Sequence, residues 1–225
     1  MEVMQNINPE VSLDDAKRLL GIRKNSTLSI KMQRKLDRYR KRIEEIMAPV
    51  LLYTTRDIEK VDNERVLICN HLFFKSKNLA ISLKGSQKLV VFIGTIGQPV
   101  DIEVKGLMEQ GKIVDAYVLD TMGSVAVEGV VDGFQRDYET KLVSERKRTT
   151  LKFSPGYCDW DLKEQRKIFS ILDSNSIGVR LKPKFKMEPS KTISGVFGVG
   201  DTDTLGEKPF NPCKVCTMKN CIARR

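Results

Sequence analysis

The residues with the most chemical potential lie in Lys152-Phe153-Ser154-Pro155-Gly156-Tyr157-Cys158-Asp159-Trp160. Pro155 removes a backbone donor and Gly156 admits a positive φ, so the chain can bend sharply there. Such a bend can present N–H groups to a ligand, and Tyr157 and Trp160 set aromatic surface beside it. An ordinary strand-to-helix connection with one buried aromatic would use the same residues. A second candidate is Glu128, a carboxylate among small and apolar neighbours (Gly123, Ser124, Val125, Ala126, Gly129). It stands either at an exposed helix edge or buried beside a partner.

A third candidate is the thiol cluster Cys213-Lys214-Val215-Cys216-Thr217-Met218-Lys219-Asn220-Cys221. Clustered thiolates are soft ligands suited to zinc or an iron–sulfur cluster. Cys213, Cys216 and Cys221 fall one short of a four-thiolate site, so Cys69, Cys158, a non-protein ligand or a second subunit would complete it. The alternative is a redox or idle tail. His71 is the one histidine. With no nucleophile beside it in Cys69-Asn70-His71, it reads as structural, and chemistry built on histidine proton transfer is not expected. Gly94-Thr95-Ile96-Gly97 is too short for a phosphate loop, and no Walker or dinucleotide fingerprint occurs.

The elements that must position these groups follow from periodicity. Ser12 caps a short helix with Asp14 and Asp15 in its first turn. Residues 27–47 form an amphipathic helix whose apolar side includes Leu36, Tyr39 and Ile43. Residues 50–54, 65–69 and 78–82 read as short strands, and Leu89-Val90-Val91-Phe92-Ile93 as a central strand covered on both faces. Helices are expected at 100–110 and 113–134. Residues 149–153 are β-type, and Asp161-Leu162-Lys163-Glu164 resembles a capping box opening another helix. Late strands are expected at 177–181 and 192–197. The order predicts an α+β fold: a twisted, mostly antiparallel sheet with flanking helices. Three parts are expected: an N-terminal helical segment (1–48) packed on the main domain, a core at 49–200, and a Cys-containing tail at 201–225.

The chain has 225 residues, 40% hydrophobic and 30% charged, which suits a globular protein able to bury a full core. No apolar run reaches the ~20 residues of a membrane span, and no secretory signal opens the chain, so a cytoplasmic protein is expected. The five cysteines, an odd number, argue against a disulfide framework. The net charge of +10 is concentrated in Arg23 to Arg42 and Arg146 to Arg148. No helix-turn-helix or RNP motif accompanies it, so a solvated or protein-docking basic face is favoured over nucleic-acid binding.

Several stretches together resemble the activation (AdoMet-binding) domain of vitamin B12-dependent methionine synthase, in its compact free-standing form. They are Phe92-Ile93-Gly94-Thr95-Ile96-Gly97, Gly123-Ser124-Val125-Ala126-Val127-Glu128, Phe153-Ser154-Pro155-Gly156-Tyr157-Cys158-Asp159-Trp160, Ile177-Gly178-Val179-Arg180-Leu181 and Met187-Glu188-Pro189-Ser190-Lys191-Thr192-Ile193-Ser194-Gly195. They cover about residues 80–200. The resemblance implies S-adenosylmethionine bound through an Arg-x-x-x-Gly-Tyr motif, matched here by Lys152, Gly156 and Tyr157. Lysine in place of arginine keeps the positive charge for the ligand's carboxylate and loses the bidentate fork. Glu128 matches a ligand-contacting glutamate, Ser154 and Pro155 complete the binding stretch, and Tyr157 carries the catalytic assignment.

The implied chemistry is reductive methylation of cob(II)alamin. The cobalamin would be carried by a separate corrinoid-binding protein or methionine synthase core, because no Asp-x-His-x-x-Gly motif surrounds His71. A separate electron donor is also implied. The basic helix of residues 31–42 is a candidate docking face for an acidic corrinoid or reductant protein. A non-catalytic scaffold for a corrinoid protein and a basic, metal-tailed nucleic-acid-binding protein are the competing readings.

Overall fold

The computed structural model describes all residues except 6, 24, 25, 69–71, 207–209, 212, 213 and 215–225. Cys69, His71, Cys213, Cys216 and Cys221 therefore lie outside the described residues, and with them the expected thiolate metal site.

Strand β5 (Lys88–Thr95) is the centre of the architecture. Every residue from Leu89 to Thr95 is buried, as a continuous apolar run requires when both faces are covered. It pairs antiparallel with β2 (Val50–Val61) on one side and β9 (Thr192–Asp201) on the other. β2 is long enough for its free edge to hold two partners. Residues 51–53 take the N-terminal strand β1 (Glu2–Met4), and residues 58–61 take β3 (Arg65–Ile68), which pairs with β4 (Leu72–Lys75). The far edge of β9 takes β6 (Lys147–Thr149). The result is a seven-stranded antiparallel sheet, with a two-stranded ribbon of β7 (Arg180–Leu181) and β8 (Met187–Glu188) beside it.

Alternation along β5 divides the core. Val90 and Phe92 face α1 (Leu13–Leu19), α2 (Ile30–Ile46) and α5 (Ile113–Leu142). Leu89, Val91 and Ile93 face a second cluster containing Phe74, Leu79, Phe153, Trp160 and Ile168. That cluster is closed by α3 (Lys77–Ser82) and α6 (Gln165–Ile171). The α+β class and the mostly antiparallel sheet expected from sequence are both present. No helix of the described residues is long and apolar enough to cross a membrane.

Some local expectations are corrected. Residues 78–82 form helix α3, not a strand: Ser76 Oγ accepts from the Leu79 amide at 3.0 Å, a side-chain cap hidden in an apolar-looking stretch. The helix at 113–134 runs on to Leu142. Of residues 177–181 only Arg180–Leu181 are strand, following a single 3-10 turn, Ser174–Ile177. At Asp161 the side chain caps Lys163, but Glu164 does not reach back to complete a capping box. It is buried and accepts from the Lys75 amide at 3.0 Å and Lys167 Nζ at 2.9 Å. Asp201 is the last residue of β9, followed directly by α7 (Thr202–Leu205), so the sheet reaches into the stretch read as tail.

The basic helix α2 is also partly occupied within the molecule. Asp115 on α5 accepts from Lys35 Nζ at 2.7 Å, Arg38 Nη2 at 2.5 Å and Tyr39 Oη at 2.7 Å. Arg42 forks onto Glu103 of α4 (Pro99–Glu109), with Nε at 2.8 Å and Nη2 at 2.6 Å. Three of the cations expected to dock a partner instead hold α2 against α4 and α5.

Candidate functional site

The segment that begins at Lys152 is aimed by a defect in strand pairing. Thr149 pairs with Val199, whereas Phe153 bridges to Val196, so four steps on one strand match three on the other. The surplus residue is a β-bulge at Leu151 and Lys152, and a bulge redirects the side chains it contains. Lys152 consequently turns toward α5. Its ammonium lies 2.8 Å from Glu128 Oε2 and 2.5 Å from Asp132 Oδ1, with the side chain only 15% exposed.

The bend itself is fastened at three points. Phe153 exchanges both backbone hydrogen bonds with Val196, at 2.8 and 2.9 Å. Gly195 permits this approach, because a Cβ there would stand 2.7 Å from Phe153 O and 2.8 Å from Ser154 Oγ. Trp160 then inserts into the core, stacked on Phe153 at 5.7 Å and edge-on to Phe74 at 5.3 Å. It is 1% exposed, so it belongs to the packing and offers no aromatic face at the bend. Finally, the Asp159 carboxylate lies across the start of α3. Its oxygens accept from the Lys77 amide at 2.6 Å, Ser76 Oγ at 2.7 Å and Asn78 Nδ2 at 2.9 Å. Burial alone would raise the Asp159 pKa, but these donors from Ser76, Asn78 and Lys77 outweigh it and hold the carboxyl below its ordinary value.

Between these fixings, Pro155 is buried, Gly156 has φ +93° and Tyr157 is 45% exposed. The backbone donors expected to meet a ligand are used internally. The Gly156 amide donates to Trp160 O at 2.7 Å and the Tyr157 amide to Ser154 O at 3.3 Å. The bend is thus a self-satisfied turn, and its functional surface is made by side chains.

The structure brings Glu128 and Lys152 together and sets the 154–157 turn immediately after them in the chain. Sequence reading missed Asp120, Asp132 and Lys191 as parts of the site. Asp120, Ser124, Glu128 and Asp132 recur every four residues on α5 and share one half-buried face of an otherwise apolar helix. Opposite the first two stands Lys191, its side chain 10% exposed, with Nζ 2.8 Å from Asp120 Oδ1 and 3.0 Å from Ser124 Oγ. Gly123 makes room for its stem, since a Cβ there would meet Lys191 Cγ and Cε at 3.2 Å. Asp101 on α4 anchors the approach to Lys191 by accepting from the Ser190 amide at 2.7 Å and its hydroxyl at 2.5 Å. The four-residue spacing of polar side chains was the available signal. Beyond Asp132 the row opens on a cleft of about 230 Å³ lined by Gln135, Glu139, Arg148, Thr150 and Leu151 among others.

Among the described residues no group of three or more His, Cys, Asp or Glu side chains is placed to hold a metal ion. What the described site offers is charge: two ammonium groups and three carboxylates in a row on one helix face, with an exposed tyrosine on the neighbouring loop.

No family model matches the chain. No curated protein matches it in sequence. Among solved structures, the crystal structure of the MetH reactivation domain bound to AdoHcy superposes with a TM-score of 0.58, covering 84% of this chain and 70% of that one at 13% identity. The fold is that of the MetH reactivation domain. The likeness is one of chain path, because 13% identity leaves few side chains in common.

Proposed function

We propose that this chain binds S-adenosylmethionine on the charged face of α5 and reactivates a corrinoid methyltransferase by reductive methylation. The observation that carries the reading is the Lys152–Glu128–Asp132 cluster, held beside the 154–157 turn in a fold shared with a domain that was crystallised with AdoHcy. The side chains present fit such a ligand. Glu128 and Asp132 are 34% and 44% exposed, so their oxygens can meet ammonium, sulfonium or ribose hydroxyl groups. In this reading Ser154, Pro155, Gly156 and Tyr157 supply the turn that adjoins the ligand, with the partly exposed Tyr157 lying against it.

The chemistry needs no proton transfer from the protein. A partner's cob(II)alamin takes one electron from a separate donor to become cob(I)alamin. Its cobalt electron pair then attacks the sulfonium methyl, the S–C bond breaks, and methylcobalamin and AdoHcy result. The chain's task is to hold the methyl group in line and keep the carboxylates near the positive sulfur. That task suits a site built of fixed charges.

The test is AdoMet-dependent methylation of cob(II)alamin with a chemical reductant, followed by absorbance. Wild-type protein should accelerate it and Tyr157→Ala should depress it. A protein that binds AdoMet yet never accelerates methylation, with or without a corrinoid partner, would be a scaffold. Salt-sensitive binding of nucleic acid with no AdoMet affinity would point to the nucleic-acid reading. The neutralisation of Lys35, Arg38 and Arg42 by Asp115 and Glu103 weighs against that last outcome.

A further inference from the structure

Two surface features meet at the end of the sheet where β5 leads into α4. The first is apolar. Ile102, Met108, Ile113, Val114 and Tyr117 are each between 54% and 63% exposed, and all lie on the α4–α5 hairpin. Large apolar side chains gathered in water mark a surface that another surface covers. Tyr117 shares a face of α5 with Ser124, seven residues on, so the polar row continues N-terminally as this apolar surface. The charges that interleave it are matched within the molecule. Arg42 takes Glu103, Lys35 and Arg38 take Asp115, Lys105 pairs with Glu109 at 3.7 Å, and Lys112 donates to Gln110.

The second feature is basic. The β7–β8 ribbon with its connection, residues 180–188, carries four cations and one carboxylate. Lys182 pairs with Glu188 at 2.8 Å, whereas Arg180, Lys184 and Lys186 are exposed and have no ion pair among the described residues. Beside the ribbon, Lys163 and Lys167 are taken by Asp161 and Glu164. Lys184 and Phe185 are both left-handed, with φ +59° and +58°. That turn leaves Lys184 and Lys186 in water, and the Phe185 ring is covered by the Arg166 guanidinium at 4.8 Å. With its ring covered, the ribbon offers no platform for stacking nucleic-acid bases, and its chemistry suits an acidic protein surface. Asp101 of α4 fastens the base of the ribbon by accepting from the Ser190 amide and hydroxyl. Lys186 is four residues from that joint, at most about 13 Å. Met108 lies about two turns along α4 on the same side as Asp101. Ribbon and hairpin are therefore neighbours, within the roughly 30 Å that a standard protein interface spans.

We propose that this joint surface docks the corrinoid-carrying partner. Acidic groups of the partner meet Arg180, Lys184 and Lys186, and its apolar groups meet Met108, Val114 and Tyr117. The assignment rests on the AdoMet reading above, which needs the partner's cobalt brought onto the face of α5 that holds Ser124 and Glu128. It moves the docking role away from α2, where Lys35, Arg38 and Arg42 are committed inside the molecule. An apolar centre with a charged rim is the usual build of such a contact, and rim cations speed the encounter in a salt-dependent way. A second copy of this chain, with a net charge of +10, is the poorer electrostatic match.

The experiment has two stages. Lys184→benzoylphenylalanine and, on α2, Arg34→benzoylphenylalanine are irradiated in an extract of the cells that make this protein. The Lys184 variant should be joined to a protein whose visible spectrum shows a corrinoid, and about 0.5 M salt should abolish the product. That carrier, purified, is then methylated with AdoMet and a chemical reductant, beside free cob(II)alamin. Lys184→Glu with Lys186→Glu, and separately Met108→Ser with Tyr117→Ser, should each raise KM for the carrier by about tenfold. Both should leave the rate with free cob(II)alamin within about twofold, and thermal melts confirm that these exposed changes leave the fold intact. High salt should erase the first effect and spare the second. Absence of a corrinoid protein from the Lys184 product, a second copy of this chain in its place, or an unchanged KM overturns the docking assignment alone. So does a larger rise in KM from Lys31→Glu with Arg34→Glu on α2. Wild type that methylates neither the carrier nor free cob(II)alamin overturns the functional reading and the docking surface with it.

Discussion

Lys152 and Glu128 stand 24 positions apart in the chain, and their charged atoms meet at 2.8 Å. A one-residue bulge between β6 and β9 turns the lysine, and a polar row on α5 receives it. Without the bulge, strict alternation from Thr149 would give Lys152 a different face of the strand. The contact is therefore a product of register.

Glu128→Gln should weaken AdoMet binding by about tenfold, the scale of a hydrogen bond to a charged group, while leaving the melting temperature nearly unchanged. Glu128 is 34% exposed and Lys152 keeps Asp132, so the fold loses little. Calorimetric titration paired with a thermal melt checks both halves.

Asp159→Asn should lower stability by about 1 kcal/mol, as for loss of a helix cap, and loosen the 154–157 turn. The pH dependence has a definite sign. The folded-state pKa of Asp159 is depressed, so its contribution is fully present above the ordinary carboxylate value of about 4 and is lost as pH falls through the folded value. Urea denaturation between pH 7 and pH 2.5 should show a shallower acid decline in the variant than in wild type.

Asp115→Asn should loosen α2 from α5, because Lys35, Arg38 and Tyr39 share that one carboxylate. Lys35 and Asp115 are each 17% exposed, so a loss of about 2–3 kcal/mol is expected, below the roughly 3–5 kcal/mol for breaking a fully buried pair. The hydrogen bond from Lys35, aided by Tyr39 and the neighbouring positive charges, depresses the Asp115 pKa, so this contribution too fades as pH drops below about 4. Hydrogen exchange along α2 should rise in the variant at pH 7.

Gly195→Ala should disturb the site through the backbone. A Cβ there would lie 2.7 Å from Phe153 O and 2.8 Å from Phe92 Cζ, and the carbonyl cannot move without breaking its bond to Val196. Destabilisation of about 1–3 kcal/mol is expected for such overpacking, with AdoMet affinity falling in parallel. Unchanged affinity in a folded variant would mean that the Ser154 turn is not coupled to the ligand surface.

Trp160→Ala should cost about 3–5 kcal/mol by emptying a site wedged between Phe153 and Phe74. Trp160→Phe should cost clearly less. It keeps a ring on Phe153, and the indole N–H has no hydrogen-bond partner among the described residues. Chemical denaturation of the two variants side by side checks the order.

Much of this organisation was legible in the chain. The apolar run at 89–93 announced a doubly covered strand, and Ser12 is the side-chain cap that the local pattern indicates. The failures have common causes. Leu79-Ala80-Ile81 looks like strand until the Ser76 cap and the Asp159 carboxylate are seen to start a helix there. The basic residues of α2 looked like docking surface because their acidic partners, Asp115 and Glu103, lie 61 to 80 positions away.

The sequence by itself determined the class of fold and which residues could carry charge into a site, because periodicity and residue type are local properties. Tertiary structure alone decided which charges meet. Lys191 joins Asp120 and Ser124 across 67 positions and more of chain, and the bulge before Phe153 hands Lys152 to Glu128 and Asp132. Such pairings depend on strand register and on close approaches at Gly123 and Gly195, and register is set by the packing of the whole sheet. The bend at Pro155 and Gly156 shows the same division. Its shape was readable from two residues, whereas the internal use of its amides emerged only once Trp160 was seated in the core.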